Sequence, residues 1–366
     1  MAGFRNVVTV ALLAAAPAWM AAPASACDPL VPGTPSAAGV TSNDSAGRAV
    51  ALININGQGP FRFIIDTGAN RSVLSQALAT RLGLAPSGEG VVHSVDGAEL
   101  AMLVNVESLS FGALRLSSGD TPVLDGPMLD GEHGLLGVDG MAGRLLHVDF
   151  TKRCVEIYES GARLATQGWW SVPARMRFGS LLMVEGAIMG VRVNVLIDTG
   201  SNISLANQRF RDALRDVAAR SIEYHNGHAF TFGRPIVMAE RVWTPRLRLG
   251  QTIVDSVTAY IGDFHIFDLW GLQDEPTLLI GMDVLARSRE MAIDYEHGVV
   301  HFRKAPRGDH RGGHQASEGR TSSQARLAGG EGATLAEHPR PERPADERVA
   351  GGHGEVVGPA RRQELE

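Results

Sequence analysis

The chain has 366 residues, enough for two domains or one large one, and its apolar fraction of 44 % supplies material for a packed core. A formal net charge of −6 is mild and argues against a nucleic-acid partner, which calls for a basic face. Apart from the N-terminus, no apolar run is long and clean enough to span a membrane.

Residues 1–26 read as an export signal. Arg5 supplies the positive start, Val7 to Ala22 is an Ala-rich apolar stretch, and Ala24-Ser25-Ala26 fits a small-x-small cleavage site. Pro17 and Pro23 disfavour a retained membrane helix. Cleavage after Ala26 leaves Cys27 first in the mature chain, and the only other cysteine is Cys154. Two readings stay open. In an exported protein, one disulfide between Cys27 and Cys154 would close a long loop, and the redox compartment favours it. The other is a lipid anchor at Cys27, although bacterial lipoprotein signals usually carry Leu where this chain has Ala24.

Residues 27–47, rich in Pro, Ser, Gly and Ala, read as an extended lead-in, with ordered structure expected from Arg48. Val50 to Asn56 and Phe61 to Asp66 are predicted strands around a Gly57-Gln58-Gly59-Pro60 turn. Alternation puts Phe61, Phe63 and Ile65 on one face, and leaves Asp66 at the strand end, where a side chain can project into a cleft. After Gly68 the spacing of Val73, Leu74, Ala77, Leu78 and Leu82 predicts a helix over Ser72 to Leu84. Val91 to Val95 and Glu99 to Val106 form a predicted hairpin with Asp96-Gly97 at a type I′ tip. A further hairpin follows at Phe111-Gly112. Gly134-Leu135-Leu136-Gly137-Val138-Asp139, a short helix and a strand Leu145 to Tyr158 close this first lobe, 48–158.

A linker is expected over 159–170, and a second lobe over 171–304. There the order repeats: strands Leu181 to Ile188 and Val191 to Asp198, a Gly turn, and a helix from about Ala206 to Ala219. A β-rich stretch containing Asn226-Gly227 follows, then strands at Arg246 to Leu249 and Ile253 to Ile261. Leu278-Leu279-Ile280-Gly281-Met282-Asp283, a short helix and a strand Met291 to Phe302 end the repeat. This is a duplicated unit, with the second copy enlarged in its middle. From Ala305 the tail has no aromatic residue and few branched apolar ones; such a segment cannot offset its ordering entropy, and 305–366 is expected to be disordered.

The chemistry lies in Ile64-Ile65-Asp66-Thr67-Gly68-Ala69-Asn70 and Leu196-Ile197-Asp198-Thr199-Gly200-Ser201-Asn202. One Asp-Thr-Gly arises by chance in a chain this long on the order of one time in ten. Two copies, each after an apolar strand and each followed downstream by an apolar-apolar-Gly element, do not. Two carboxylates that share a site cannot both ionise cheaply, so one keeps a proton while the other acts as a base. There is no His-Glu-x-x-His, no Gly-x-Ser-x-Gly elbow and no Walker loop. No metal and no cofactor are expected.

On these motifs, with Leu135-Leu136-Gly137 and Leu279-Ile280-Gly281, the chain resembles the retropepsin-like aspartic proteases, in an exported form with both lobes in one chain. The resemblance covers roughly residues 48–304. It implies a mainly β, bilobal acid-protease fold of two homologous β-barrel-like lobes with a few short helices. It also implies catalytic Asp66 and Asp198, one from each lobe, acting on a polypeptide through an activated water. Thr67 and Thr199 would bond across the loops, and Gly68 and Gly200 would open the backbone N–H groups to the carboxylates. Many pepsin-like members carry Ser or Thr where this chain has Ala69 and Ser201, bonding a catalytic carboxylate and favouring its charged form; an acidic but not extreme optimum follows. Retroviral members usually have Asp at the positions of Asn70 and Asn202. These residues, with Asp96 and Gly97 of a covering hairpin, are the candidate substrate contacts. The chain is expected to act as a monomer with no nucleic acid and no membrane span, in the periplasm or outside the cell. A homodimer with acids paired between chains, and a non-catalytic peptide-binding or scaffold protein keeping the fold, are the alternatives.

Overall fold

In the computed structural model, residues 35–304 are described except 96, 127–128, 160–163, 165–167, 219–221 and 231–234; side chains are not described over 216–239. The expected export signal, Cys27, Asp96 and the tail therefore lie outside the described residues.

Each Asp-Thr-Gly follows a strand buried on both faces, and that strand is one stave of a closed barrel. In the first half the strands are β1 (Ala37–Val40), β2 (Ser42–Asn43), β3 (Ala49–Ile55), β4 (Gln58–Ile65), β5 (Val73–Ser75), β6 (Pro86–His93), β7 (Ala98–Phe111), β8 (Leu114–Leu124), β9 (Gly134–Leu136), β10 (Leu145–Asp149) and β11 (Cys154–Tyr158), with helix α1 (Gln76–Arg81) after β5. The second half has β12 (Trp170–Arg177), β13 (Leu181–Ile188), β14 (Val191–Ile197), β15 (Ser204–Ala206), α2 (Gln208–Ala218), β16 (Ile222–Phe230), β17 (Pro235–Leu249), β18 (Thr252–Ile261), α3 (His265–Leu269), β19 (Thr277–Ile280), α4 (Met282–Leu285), β20 (Ser288–Asp294) and β21 (Val299–Lys304).

The order β3-β4-β9-β5-β8-β7 returns to β3, and the order β13-β14-β19-β15-β18-β17 returns to β13, so each half closes a six-stranded ring. Closure pairs the staves that an open sheet would leave as edges. Strands β2, β6 and β16 extend the rings at their edges, and β1-β11-β10-β20-β21-β12 form a sheet to which both halves contribute. Its seam is the antiparallel pair β10–β20, from Leu145↔Asp294 to Asp149↔Glu290. Phe63, Leu74 and Leu136 from one half belong to the same buried apolar cluster as Leu196, Phe210 and Ile280 from the other. Burying a side chain of this size contributes about 1.5–3 kcal/mol. The fold is thus mainly β and bilobal.

Several local expectations are corrected. Order begins before Arg48: β1 pairs with β11 and β2 with β3, because an Ala-, Ser- and Gly-containing edge can still join a ladder through its backbone. The helix predicted from Ser72 starts only at Gln76. Val73-Leu74-Ser75 is wholly buried and pairs with β8 and β9, and Ser75 Oγ caps the helix by accepting from Leu78 N–H at 3.1 Å. The helix expected from about Ala206 to Ala219 is found as α2, and the short strand β15 precedes it. The strands predicted over 145–158 and 291–302 are hairpins. In one, Asp149 accepts from the N–H groups of Thr151 and Lys152; in the other, Asp294 accepts from those of Glu296 and His297, each an Asx turn. The short helix expected after Asp139 is a pair of turns, whereas its counterpart after Gly281 is helical. Helix α3 and strand β12 had no sequence expectation.

Candidate active site

Each acid is delivered by a parallel strand pair. Ile64 and Ile65 of β4 lie beside Leu135 and Leu136 of β9; Leu196 and Ile197 of β14 lie beside Leu279 and Ile280 of β19. The ladder continues one bond into each loop, with Asp66 N–H donating to Leu136 O at 2.9 Å and Asp198 N–H to Ile280 O at 3.1 Å. Gly137 then runs flush against the first loop: a Cβ there would fall 2.8 Å from Ala69 O. At Gly281 it would fall 2.8 Å from Ser201 O.

The two loops interlock. Thr67 Oγ1 donates to Ile197 O at 2.8 Å and accepts from Thr199 N–H at 3.1 Å. Thr199 Oγ1 reciprocates, donating to Ile65 O at 2.7 Å and accepting from Thr67 N–H at 3.1 Å. Two polar groups per loop are satisfied at a buried junction where water cannot serve them. The carboxylates cross in the same way. A Cβ on Gly200 would lie 2.2 Å from Asp66 Cγ, and one on Gly68 would lie 2.5 Å from Asp198 Cγ. Only glycine lets each loop back onto the other loop's acid.

The Asp66 and Asp198 carboxyls act on each other directly. Asp66 also accepts from Gly68 N–H at 2.9 Å, and Asp198 from Gly200 N–H at 2.8 Å and Ser201 N–H at 3.1 Å. Burial raises the Asp66 carboxyl above the ordinary range; the Gly68 N–H, the neighbouring Asp198 carboxyl and the positive charge of Arg48 counter it. Asp198 is pushed well above the ordinary range, first by burial and then by the negative charge of Asp66. One proton shared by the pair is the state that this burial and mutual repulsion favour.

Around this centre the sequence-derived candidates separate. Ala69 and Ser201 lie in the loops, but Ser201 Oγ donates to Ile203 O at 2.7 Å. The carboxylate bond that the resemblance implies for this hydroxyl is not formed; only the backbone N–H reaches Asp198. Asn70 and Asn202 are exposed, with the Asn70 amide against Gly179 of the opposite half. Gly97 closes the β6–β7 hairpin by accepting from Ser94 N–H at 2.8 Å. That hairpin reaches across to α3: His265 N–H donates to Val95 O at 2.9 Å, and His93 Nδ1 meets His265 Nε2 at 2.9 Å. The centroid separation of 5.2 Å exceeds this by two ring radii at a 19° interplanar angle, so the imidazoles meet edge to edge. Cys154 is disulfide-bonded; Cys27 lies outside the described residues.

Six supporting residues had no role assigned from the sequence. Ser72 Oγ donates to Asp139 at 2.7 Å and accepts from Gly137 N–H at 3.1 Å. Ser204 Oγ donates to Asp283 at 2.8 Å and accepts from Gly281 N–H at 3.1 Å. The signal was available, since each Ser follows its Asp-Thr-Gly acid by the same interval and each Asp follows its Gly in the same way. Arg48 and Tyr295 had no such signal. Tyr295 is buried near the pair, and burial together with the Asp66 charge raises its phenol above the usual range. Among the described residues, no group of three or more His, Cys, Asp or Glu side chains could hold a metal. Among the described residues, no helix is long and apolar enough to cross a membrane.

The sequence pattern of a family described as aspartyl protease matches residues 51–139 and 184–284, more than half of the chain and both loops. The chain belongs to this aspartyl protease family, in agreement with a two-lobed, retropepsin-like member. No curated protein matches it.

Proposed function

We propose that the protein is an aspartic endopeptidase that hydrolyses peptide bonds with a water activated between Asp66 and Asp198. The reading is carried by the crossed packing of the two acids on Gly200 and Gly68, locked by the reciprocal Thr67–Thr199 bonds. The ionised member takes a proton from water as its oxygen attacks the scissile carbonyl carbon. The protonated member gives its proton to the carbonyl oxygen, producing a gem-diol. On collapse the nitrogen takes a proton from the first acid, the second recovers one from the gem-diol, and the C–N bond breaks. No acyl-enzyme forms.

The substrate is a polypeptide, the enzyme works as a monomer at acidic pH, and the β6–β7 hairpin covers the cleft, with Asn70, Asn202, Asp96 and Gly97 at its substrate face. It acts in the periplasm or outside the cell. One sulfur cannot hold both a lipid thioether and a disulfide, so with Cys154 disulfide-bonded the reading of Cys27 as its partner is preferred to lipidation. Peptide-library cleavage followed by mass spectrometry from pH 3 to 8, with and without pepstatin, tests the proposal. Cleavage only in acid and blocked by pepstatin is expected. No cleavage at any of these pH values would favour a binding protein that keeps the fold.

A further inference from the structure

Arg48 stands immediately before β3 and is only 6 % exposed. Its Nε donates to Asp44 Oδ2 at 2.5 Å, and its Nη1 donates to the Gly200 carbonyl, in the other half, at 3.2 Å. Asp44 has a fully buried side chain and also accepts from the N–H groups of Ala46 and Arg48, at 3.0 and 2.8 Å. Gly200 is the residue that backs onto the Asp66 carboxylate. A guanidinium from the first half therefore grips the second loop and lies one glycine away from the first acid.

Among the described residues, the second half has no equivalent. Val50 pairs with Ile64, and Met183 with Leu196; Ile64 and Leu196 each stand two residues before an acid. Counting back two residues from Val50 and from Met183 sets Arg48 against Leu181, a buried side chain with no donor. The barrels are pseudosymmetric, and the charge behind them is not.

We propose that Arg48 is a positioning residue of the carboxylate pair, tying the Gly200 loop from the opposite half and keeping the negative charge on Asp66 and the shared proton on Asp198. Besides the Gly68 and Ala69 N–H groups, Asp198 and Arg48 act on Asp66, whose charge is in turn felt by the Tyr295 phenol; Asp44 lies behind Arg48. Asp198 is pushed up by burial and by Asp66, with no cation among its leading influences. The consequence for turnover rests on the peptidase reading: Asp66 becomes the base toward water and Asp198 the donor to the carbonyl oxygen. The location of the proton exists with or without turnover.

Two substitutions separate charge from structure. Arg48→Met and Asp44→Asn both sever the same ion pair, but the first removes a positive charge near Asp66 and the second a negative one. The readouts are the pH dependence of kcat/KM and the carboxyl titration of Asp66, followed by NMR on full-length protein carrying ¹³C-labelled aspartate, without substrate. In Arg48→Met the acid limb and the Asp66 titration are expected to move up by roughly one pH unit, about tenfold in kcat/KM at the foot of the limb. Asp44→Asn should move both down by a smaller amount, and Arg48→Lys should stay near wild type. Shifts in the same direction, or no shift, would reduce Arg48 to a structural tie and overturn the proposal. If Arg48→Met does not fold, an unmoved Asp66 titration in Asp44→Asn overturns it equally. Opposite NMR shifts in a protein that cleaves no peptide would leave the inference standing and sink the peptidase reading; cleavage with unmoved titrations would do the reverse.

Discussion

The two Asp-Thr-Gly loops share their frame and differ in their surroundings. Both end a parallel strand pair, both are backed by a Gly that accepts no side chain, and both are braced by a Ser–Asp pair, Ser72–Asp139 or Ser204–Asp283. Behind the first stands Arg48, with turns after its Gly137. In the second half Leu181 takes the place of Arg48, and α4 follows Gly281. The first half sends the β6–β7 hairpin over to α3. What is repeated is what any barrel needs to present a buried acid at a strand end. What differs is charge and cover, the properties that could let two like carboxylates divide one reaction.

The comparison can be broken most severely at the acids. Asp66→Asn and Asp198→Asn should each lower peptide cleavage by roughly a thousandfold or more, since neither half can supply both proton steps. Cleavage that survived in either single variant, across pH 3 to 8, would show that the halves do not act as a pair.

Thr67→Val and Thr199→Val come next. Each leaves a buried carbonyl and a buried N–H without a partner and should destabilise the fold by about 2–4 kcal/mol in urea unfolding. Because the bonds are reciprocal, the two variants should lose nearly equal amounts; a large inequality would mean that one loop bears the junction alone.

The pH dependence of stability is smaller and has a definite sign. Asp198 has a raised carboxyl pKa. His147 is held above the usual imidazole range because its hydrogen bond to Glu156 and the negative charge of nearby Glu290 outweigh the opposing effect of burial. A group raised on folding stabilises fully below its unfolded pKa, and that contribution is lost as pH rises through the folded value. The thermal midpoint should therefore be higher near pH 5 than near pH 8. Asp198→Asn should recover part of the difference at neutral pH, and His147→Gln should flatten the higher-pH part. A midpoint that rises steadily with pH would contradict both assignments.

The smallest effect is expected at Ser201. Its hydroxyl bonds Ile203 O and not a carboxylate, so Ser201→Ala should cost about 1 kcal/mol or less and leave the pH–activity profile in place. A displaced acid limb would show that the hydroxyl turns to Asp198 during catalysis.

The sequence by itself determined the duplication, the strands that carry Asp66 and Asp198 to their ends, and the Leu-Leu-Gly and Leu-Ile-Gly elements beside them. These are local patterns, a run of apolar residues closing on an acid and a glycine, and strand periodicity reports them directly. It misread Ser72 to Ser75 as helix because Val73 and Leu74 suit either period. It passed through the turns after Asp149 and Asp294 because β-prone residues lie on both sides of each. Only the tertiary structure decided the shared sheet, the reach of the hairpin to α3, and the grip of Arg48 on Gly200. The Thr67–Thr199 bonds join positions 132 apart, and the Arg48–Gly200 bond joins positions 152 apart. No local pattern encodes which distant carbonyl a buried donor will meet. That choice is made when two closed barrels are brought face to face and every buried polar group must find a partner.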